Sequence, residues 1–264
     1  MISKSQFLVP LFEKFISDSQ KGKRIKPDGS RIKLQTIINY DYTLKYLKEF
    51  EEFKDQKLEI KLGKAKKISY SKQQPKEWLK FYNSFSDFLF KQKGFYDNYV
   101  GSIVKNIKAF FNYLKKDMGF DIGDHYKKFY VRKENIPILA LQPNQLKFLI
   151  SDVSFHESLP KTIQKSKDVF VFGCTVALRV SDIFALKSTN IEYTGNGCYL
   201  RVKTKKTGKE VCLKLPDYAV TILQEFLSKG KGRKSIFPNI PLSRFNNHIK
   251  IIADPVKFCR NLHF

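Results

Sequence analysis

The stretch VALRVSDI, residues 176–183, decides how the second half of the chain is interpreted. It joins a very apolar helical stretch, FVFGCTVA, to a new segment and places Arg179 at the junction. Ser181 is predicted to cap the new helix, which would bring free N–H groups and a positive dipole end beside the guanidinium. A guanidinium there is suited to bind a phosphate, with Asp182 holding it in place. The alternative is a purely structural Arg–Asp pair at a helix junction.

A second feature is the period of two in GCYLRVKTKKTGKEVCLKL, residues 197–215. Tyr199, Arg201 and Lys203 alternate with apolar residues, and residues 206–209, Lys-Thr-Gly-Lys, supply a turn, so a β-hairpin is predicted. A lysine on a tight turn reaches into a neighbouring site and can deliver a proton, which makes Lys206 a candidate general acid. The alternative is a solvated basic turn. Further on, FPNIPLSRFNNHIK predicts another helix that contains Asn246 and Lys250.

The first half predicts four helices separated by basic loops. Pro10 suits the first turn of the first helix, Thr36 is a predicted N-cap for a longer helix, Pro75 opens a third, and Asn98 is a predicted cap for a fourth. Aromatic residues recur on one face of each predicted helix, which indicates a core; stacking on nucleic-acid bases is the alternative.

Residues 119–141 lose this periodicity and have the composition of a linker, with four cations close together. The domain boundaries that we predict are a helical domain over residues 1–131, a basic linker over 132–141 and a second domain over 142–264. Helices resume in the second domain at Pro143.

The charge of the chain points to a polyanionic partner. Its 264 residues carry 49 Lys+Arg against 25 Asp+Glu, a net charge of +24, and residues 1–131 and 132–264 each carry +12. Hydrophobic residues make up 42%, enough to form a core, which excludes a disordered basic tail. Nucleic acid is the leading partner on charge, while a lysine-rich surface that serves solubility is the alternative.

Other function classes receive no support from the sequence. The longest apolar stretch, residues 169–178, is too short to span a bilayer, and the first ten residues lack a signal-peptide core. The four cysteines and four histidines are scattered without metal-ligand spacing, so no metal and no cofactor is expected. We expect a reduced protein of the cytoplasm.

In this order and spacing, the features resemble the tyrosine site-specific recombinases, the phage-integrase family, and especially the integrases of bacterial mobile elements. The segments that carry the resemblance are FVFGCTVA, the arginine box LRVSDIFAL, KKTGKEV and FPNIPLSRFNNHIK. The resemblance covers nearly the whole chain. It implies a mainly α fold: a helical core-binding domain followed by an incomplete α+β catalytic domain with a small β-hairpin or sheet.

The resemblance implies roles for the residues at positions that match the family's motifs. Arg179 matches the first catalytic arginine, which grips the scissile phosphate. Lys206 matches the hairpin lysine, thought to be the general acid for the departing 5′-oxygen, and Asp182 matches the acidic residue that supports the arginine box. The family's box commonly reads Thr-Gly-Leu-Arg, whereas this chain has Val176 and Ala177 before Leu-Arg. We expect alanine in place of glycine to be a mild change.

A larger departure concerns the rest of the family's active site. The family continues with a His-x-x-Arg box, a further His or Trp and a tyrosine nucleophile, and none of these is in the 264 residues. The last tyrosine is Tyr218, far from the family position, and His263 aligns as a spacer before the box. We therefore expect a recombinase sequence that stops just before the second box, able to bind DNA and unable to cleave it alone. The alternatives are a non-catalytic DNA-binding module or remnant that occupies recombination sites, and an unrelated basic protein that binds RNA.

The resemblance also implies the partners. These are double-stranded DNA held in a C-shaped clamp, assembly as a homotetramer on two DNA sites, and a place in the bacterial cytoplasm at the nucleoid, with no membrane association. Candidate contacts to the DNA backbone lie in two basic segments and are Lys21, Lys23, Arg24, Lys26, Arg31, Lys33, Lys127, Lys128, Arg132 and Lys133. A solvated loop is the alternative for each of them.

Overall fold

The computed structural model describes residues 4–62, 74–137, 140–230 and 232–254. The chain divides into two compact units, Met1–Ile136 and Pro137–Phe264. His263, the lysine-rich residues 63–73 and part of the proposed linker lie outside the described residues. Each unit has its own apolar core and is described by itself.

The first unit is mainly helical, with one small sheet. Its elements are β1 (Lys4–Phe7), α1 (Leu8–Gln20), α2 (Leu34–Lys54), β2 (Glu59–Leu62), α3 (Gln74–Asp87), a π-helical turn (Phe88–Gln92), α4 (Asp97–Lys116) and a 3₁₀ turn (His125–Lys128). The four predicted helices are present. The antiparallel pair β1–β2, with Phe7 opposite Glu59, was not predicted, because each strand has only four residues.

Aromatic side chains fill the core of the first unit, as their helical spacing predicts. Phe12 and Phe15 on α1 are fully buried and pack against Phe110 on α4, with ring centroids 4.8 and 5.7 Å away. Rings at such distances interact beyond the area they bury. These buried rings are therefore core and not a surface for base stacking.

Two predicted helix caps are wrong. α2 begins at Leu34 with Lys33 at the N-cap, which puts Thr36 inside the first turn. α4 begins at Asp97, and the side chain of Asn98 instead exchanges two hydrogen bonds with the backbone of Glu134. Since a capping side chain serves any nearby free N–H group, tertiary contacts decide its partner.

The segment that follows α4 packs on the first unit, where linker composition was predicted from residue 119. Ile122, Tyr126 and Phe129 are buried, and Tyr82 donates to the carbonyl oxygen of Tyr130 at 2.9 Å. Gly101 allows the closest approach, because a Cβ there would lie 2.1 Å from the carbonyl oxygen of Arg132. The linker interpretation is therefore wrong for residues 122–134, and the boundary between the compact units falls after Ile136.

The second unit combines helices with a three-stranded sheet. Its elements are α5 (Pro143–Ser151), α6 (Val153–Ser158), α7 (Lys161–Val176), α8 (Val180–Ile183), a 3₁₀ turn (Ser188–Asn190), β3 (Ile191–Thr194), β4 (Gly197–Lys203), β5 (Glu210–Lys214), α9 (Asp217–Ser228) and α10 (Leu242–Ala253).

The sheet has the order β3–β4–β5, and both pairs are antiparallel. The predicted hairpin is β4–β5, and the side chains of Leu200 and Val202 on β4 are buried against α7 and α9 residues of the core, as the alternation predicts. β3 adds an edge strand that was not predicted. The mainly α fold with a small sheet is confirmed.

Among the described residues, no helix is both long enough and apolar enough to cross a membrane.

Candidate functional site

Arg179 lies at the junction between α7 and α8, as predicted, but the cap is different. Arg179 itself is the N-cap of α8: its carbonyl oxygen accepts from the N–H groups of Asp182 and Ile183 at 2.8 and 3.0 Å. Ser181 lies within the helix, so its predicted capping role is wrong. The side chain of Arg179 is exposed. A four-residue helix offers little dipole, so an anion at this junction would have to be bound mainly by the guanidinium.

Ala177 explains why glycine is common at this position of the motif. α7 ends at Val176, and Ala177 takes a left-handed conformation with φ of 51°, its N–H donating to the carbonyl oxygen of Gly173. Glycine adopts this conformation without cost, whereas a Cβ costs about 1 kcal/mol. The alanine is therefore a strained substitution, where a mild one was expected.

Asp182 connects the arginine box to the hairpin. Its carboxylate is 2% exposed, and Oδ1 accepts a 3.0 Å hydrogen bond from the backbone N–H of Lys205. The predicted pairing with Arg179 does not occur, since the described residues show no ion pair between the two. The other oxygen, Oδ2, is buried and has no hydrogen-bond partner in the structure. Asp182 thus acts on the backbone beside Lys206 and leaves the Arg179 guanidinium open to a ligand.

The turn that carries Lys206 is stabilised by its own hydrogen bonds. The N–H of Thr204 donates to the carbonyl oxygen of Lys209 at 2.9 Å, and the N–H of Gly208 donates to that of Thr204 at 2.8 Å. The hydroxyls of Thr204 and Thr207 are 2.8 Å apart. Gly208 has φ of 69°, a conformation that favours glycine. The turn is therefore a compact unit, and Lys206 is exposed on it.

Thr204 and the backbone of Lys205 are the parts of this site that sequence reasoning missed. Thr204 is 6% exposed and continues the alternation of buried residues along β4. That pattern predicts a buried residue, but a backbone N–H that donates to a distant carboxylate leaves no signal in the sequence.

The segment that contains Phe237 contacts the arginine box, residues 178–186, through a backbone hydrogen bond and packs against α7. The N–H of Ile236 donates to the carbonyl oxygen of Leu186 at 2.8 Å, and Phe237 is fully buried against Phe172 of α7 with ring centroids 5.1 Å apart. Asn246 and Lys250 lie on α10, as predicted, and both are exposed. The segment therefore positions the backbone of the box.

Arg24, a predicted DNA contact, is engaged within the first unit. Its guanidinium lies 4.1 Å from the centroid of the Phe15 ring and donates to the hydroxyl of Ser19 at 2.7 Å, and the side chain is 13% exposed. Asp117 lies at 3.8 Å. Arg24 is thus part of the packing of the first unit, and its contact with DNA stays a prediction that would require these interactions to break.

The other predicted contacts in residues 21–33 lie in the loop between α1 and α2. The Pro-Asp-Gly turn forms there, with the N–H of Gly29 donating to Lys26. Lys26 also donates to the hydroxyl of Ser30 at 3.0 Å. The exposed cations of this loop are Lys21, Lys23, Arg31 and Lys33.

The second basic segment is partly neutralised within the chain. Lys127 pairs with Asp124 at 2.8 Å, and Lys115 together with Lys127 lowers the pKa of Asp124 to about 2. Arg132 lies 5.0 Å from the Phe90 ring centroid and 3.5 Å from Asp97. Lys128 and Lys133 are exposed and form no ion pair with a described residue, so they remain the better candidates of this segment.

No group of three or more His, Cys, Asp or Glu residues in the described part of the chain has an arrangement that could hold a metal ion.

No family model matches the chain, and comparison with known sequences finds a relative over part of it. The relative is "Putative tyrosine recombinase TTE1313" of Caldanaerobacter subterraneus subsp. tengcongensis, 26% identical over 178 residues, which cover 64% of this chain. The match spans 59% of the relative's own length.

Comparison with solved structures gives matches over almost the whole chain. Lambda integrase (residues 75–356) bound to DNA matches with a TM-score of 0.60 and 16% identity, covering 98% of this chain and 80% of that one. XerH site-specific recombinase bound to difH substrate matches with a TM-score of 0.58 and 12% identity, covering 96% and 70%. A lambda integrase tetramer bound to a Holliday junction gives 0.61 and 17%, covering 99% and 66%. The fold is that of these recombinases, and the resemblance to tyrosine recombinases is confirmed.

Proposed function

We propose that this chain is a DNA-binding protein of the tyrosine-recombinase type, in which Arg179 and Lys206 engage one phosphodiester of duplex DNA. The observation that carries the proposal is the hydrogen bond between Asp182 and the N–H of Lys205. It joins the two segments that bear the predicted functional side chains, which are 27 residues apart in the sequence (206 − 179 = 27). Both side chains are exposed.

The chemistry of the pair is that of an incomplete phosphate clamp. The guanidinium of Arg179 offers two parallel N–H donors to non-bridging phosphate oxygens, and the ammonium of Lys206 offers a positive charge and a proton. In the reaction that the resemblance implies, a tyrosine attacks the phosphodiester and stores its energy in a 3′-phosphotyrosyl bond until a 5′-hydroxyl reverses the step. Positive side chains there stabilise the phosphoryl charge without a metal.

DNA binding is tested by the salt dependence of affinity. If about eight phosphates are neutralised, the logarithm of the association constant falls with the logarithm of salt concentration at a slope of about −7. A slope between 0 and about −2, or a preference for RNA over duplex DNA, contradicts the proposal.

The role of Arg179 is tested by substitution. Arg179→Ala is expected to weaken binding to duplex DNA by about tenfold, since a hydrogen bond to a charged group contributes roughly 1.5–3 kcal/mol. Lys147→Ala is the matched control, because Lys147 is an exposed cation on α5 of the same unit. Equal losses for the two variants would show only a general effect of charge.

These 264 residues are proposed to bind DNA without cleaving it. They contain no His-x-x-Arg sequence. Tyr218, the last tyrosine, lies within hydrogen-bond distance of Thr175, with 2.9 Å between the hydroxyl oxygens, and Thr175 also donates to the carbonyl oxygen of Val171. The hydroxyl of Tyr218 is therefore a donor engaged in packing α9 against α7.

A nicked duplex that traps covalent complexes tests this. We expect none on a denaturing gel. A trapped complex that disappears in Tyr218→Phe would contradict the proposal and identify the nucleophile.

The second candidate function is a non-catalytic module that occupies recombination sites. The engagement of the Tyr218 hydroxyl with Thr175 inside the second unit fits binding without a covalent step. The intact mass of the protein from its own source distinguishes the two: a mass of 30.9 kDa would favour a module, and a clearly heavier product with a His-x-x-Arg sequence would favour a recombinase.

We also propose the oligomeric state and the cellular location that the resemblance implies. Assembly as a homotetramer on two DNA sites would be seen as a four-to-two complex by light scattering, and a single protein per site would contradict it. Residence at the bacterial nucleoid would be seen by imaging the tagged protein in its source cells.

A further inference from the structure

A cavity of about 660 Å³ lies in the second unit, apart from the arginine box. Its walls come from α6, the first half of α7, the last turn of α9 and the loop that follows. Lys165 in its wall lies 11 residues before Val176, about 16 Å along the axis of α7, and Arg179 lies beyond that end. The volume falls within the roughly 300–1,000 Å³ that small-molecule sites occupy.

Three carboxylates line the cavity: Glu157 is exposed and forms no ion pair with a described residue, and the other two are matched by cations. Asp168 lies at 3.6 Å from the ammonium of Lys167 and at 3.7 Å from His156, and its side chain is 15% exposed. Glu225 pairs with Lys229 one helical turn later. The negative charges of these two residues are therefore balanced within the protein.

Three cations of the cavity have no carboxylate partner among the residues that the structure describes. Lys161 donates to the side-chain oxygen of Gln164 at 3.4 Å, and Arg233 donates to the carbonyl oxygen of Lys229 at 3.0 Å. Neither they nor Lys165 forms an ion pair there. Gly230 lets the guanidinium of Arg233 lie close to the end of α9, since a Cβ would be 3.0 Å from it. A concave site with unpaired cations attracts an anion.

We propose that this cavity binds a small molecule that bears a phosphate group. The phosphate would lie on Lys161, Lys165 and Arg233, and hydroxyl or amino groups of the same molecule would face Asp168. Three helices surround the cavity, which suits a molecule the size of a mononucleotide better than a duplex. The site goes beyond the proposed recombinase function and does not depend on it.

Calorimetric titration of the full chain with adenosine 5′-monophosphate, inorganic phosphate and adenosine tests the proposal. We expect the monophosphate to bind at one site, phosphate to bind more weakly and to compete, and adenosine not to bind. Absence of monophosphate binding at millimolar concentrations would overturn it.

Substitutions locate the site. Lys165→Ala and Arg233→Ala are each expected to weaken monophosphate binding by about tenfold, whereas Lys147→Ala leaves it unchanged. Monophosphate binding that is lost in Arg179→Ala and retained in Lys165→Ala would place the ligand at the arginine box and overturn the proposal.

The phosphate of a DNA backbone is the other source of the same chemistry. If the two cavity variants lower the salt slope of duplex binding by about one each while monophosphate binding does not change, the cations contact DNA and the proposal of a small ligand is wrong. Failure here leaves the DNA-binding test of Arg179 unaffected.

Discussion

The loop after α1 and the junction after α7 each present an arginine next to a helix end, and the two arginines have opposite roles. Arg24 turns back onto the ring of Phe15 and donates to Ser19. Arg179 is exposed, and the nearby carboxylate of Asp182 binds a backbone N–H instead of pairing with it. The first arginine stabilises the fold, whereas the second is left open to a ligand.

This difference teaches that the partners of a cation, and not its place in a basic segment, decide whether it can bind a phosphate. An arginine whose donors already serve the protein must break those contacts before it binds anything else. Arg179 is exposed, so it can bind a ligand without first breaking contacts of this kind.

The largest expected change in the free energy of unfolding follows from the substitution of Arg24. Arg24→Ala is expected to lower the free energy of unfolding by about 3 kcal/mol, because it removes a cation–π contact in a partly desolvated site and a hydrogen bond to the buried Ser19. Arg179→Ala is expected to change it by less than about 0.5 kcal/mol. Denaturant unfolding measures both.

Arg31→Ala is the control for Arg24, since Arg31 is exposed in the same loop. Equal stability of the two variants would break the comparison. Loss of DNA affinity in folded Arg24→Ala at low temperature, with Arg31→Ala unaffected, would return Arg24 to the DNA interface.

The carboxylate of Asp182 binds the hairpin backbone and does not pair with Arg179. Removal of this carboxylate is expected to lower the free energy of unfolding by about 2 kcal/mol. Asp182→Ala deprives the backbone N–H of Lys205 of its acceptor, and Asp182→Asn retains one. Hydrogen exchange should therefore show faster exchange of the Lys205 amide in the alanine variant than in the asparagine variant. Equal protection in the two would mean that the hairpin turn is held without Asp182.

Asp18 in the first unit provides a pH-dependent test of charge pairing in a core. The hydroxyl of Tyr113 donates to Asp18 at 2.5 Å and, with Lys14, holds the pKa of that carboxyl below its usual 3.8. A carboxyl whose pKa is lowered in the folded state adds stability above the unfolded pKa and loses it as pH falls. Tyr113→Phe should therefore cost about 2 kcal/mol at pH 7 and progressively less below pH 4.

Tyr126→Phe is the matched control for Tyr113. Tyr126 donates to the neutral side chain of Asn112 at 2.9 Å, so its loss should not depend on pH in this range. Parallel pH profiles for the two variants would contradict the role of the Asp18 charge.

Ala177 tests the backbone of the arginine box, where the expected change in stability is smaller than at Arg24, Asp182 or Tyr113. Ala177→Gly is expected to stabilise the chain by about 1 kcal/mol, because glycine takes the left-handed conformation without steric cost. Asp55, with φ of 48° at the end of α2, is the matched site in the first unit. Thermal unfolding should show a gain for both glycine variants, and a loss in Ala177→Gly would mean that its methyl group packs usefully.

Most of the fold could be predicted from the sequence, because long apolar periodicities specify helices and a strict alternation specifies β4–β5. The arginine box and the turn lysine could be found for the same reason: both lie at breaks between two strong patterns. The short strands β1, β2 and β3 could not, since four residues carry too little pattern.

The contacts that position the site lie beyond sequence reasoning. The capping roles of Ser181 and Asn98 are wrong because side chains choose among acceptors and donors that only the fold brings near. The burial of Arg24 and the partner of Asp182 also depend on tertiary contacts. Arg24 packs on the ring of Phe15, and Asp182 accepts from the backbone N–H of Lys205 in the hairpin.

The placement of the single tryptophan makes the two units optically separable. Trp78 lies on α3 with its ring 4.6 Å from that of Phe111 and 6.0 Å from that of Phe129, so its fluorescence reports on the first unit and on the docking of the segment after α4. Cys198 on β4 of the second unit is buried, so the rate at which its thiol is labelled reports on the unfolding of that unit, whereas Cys174 and Cys212 are exposed in the folded state. Intrinsic emission and thiol labelling can thus follow the unfolding of each unit in the unmodified chain.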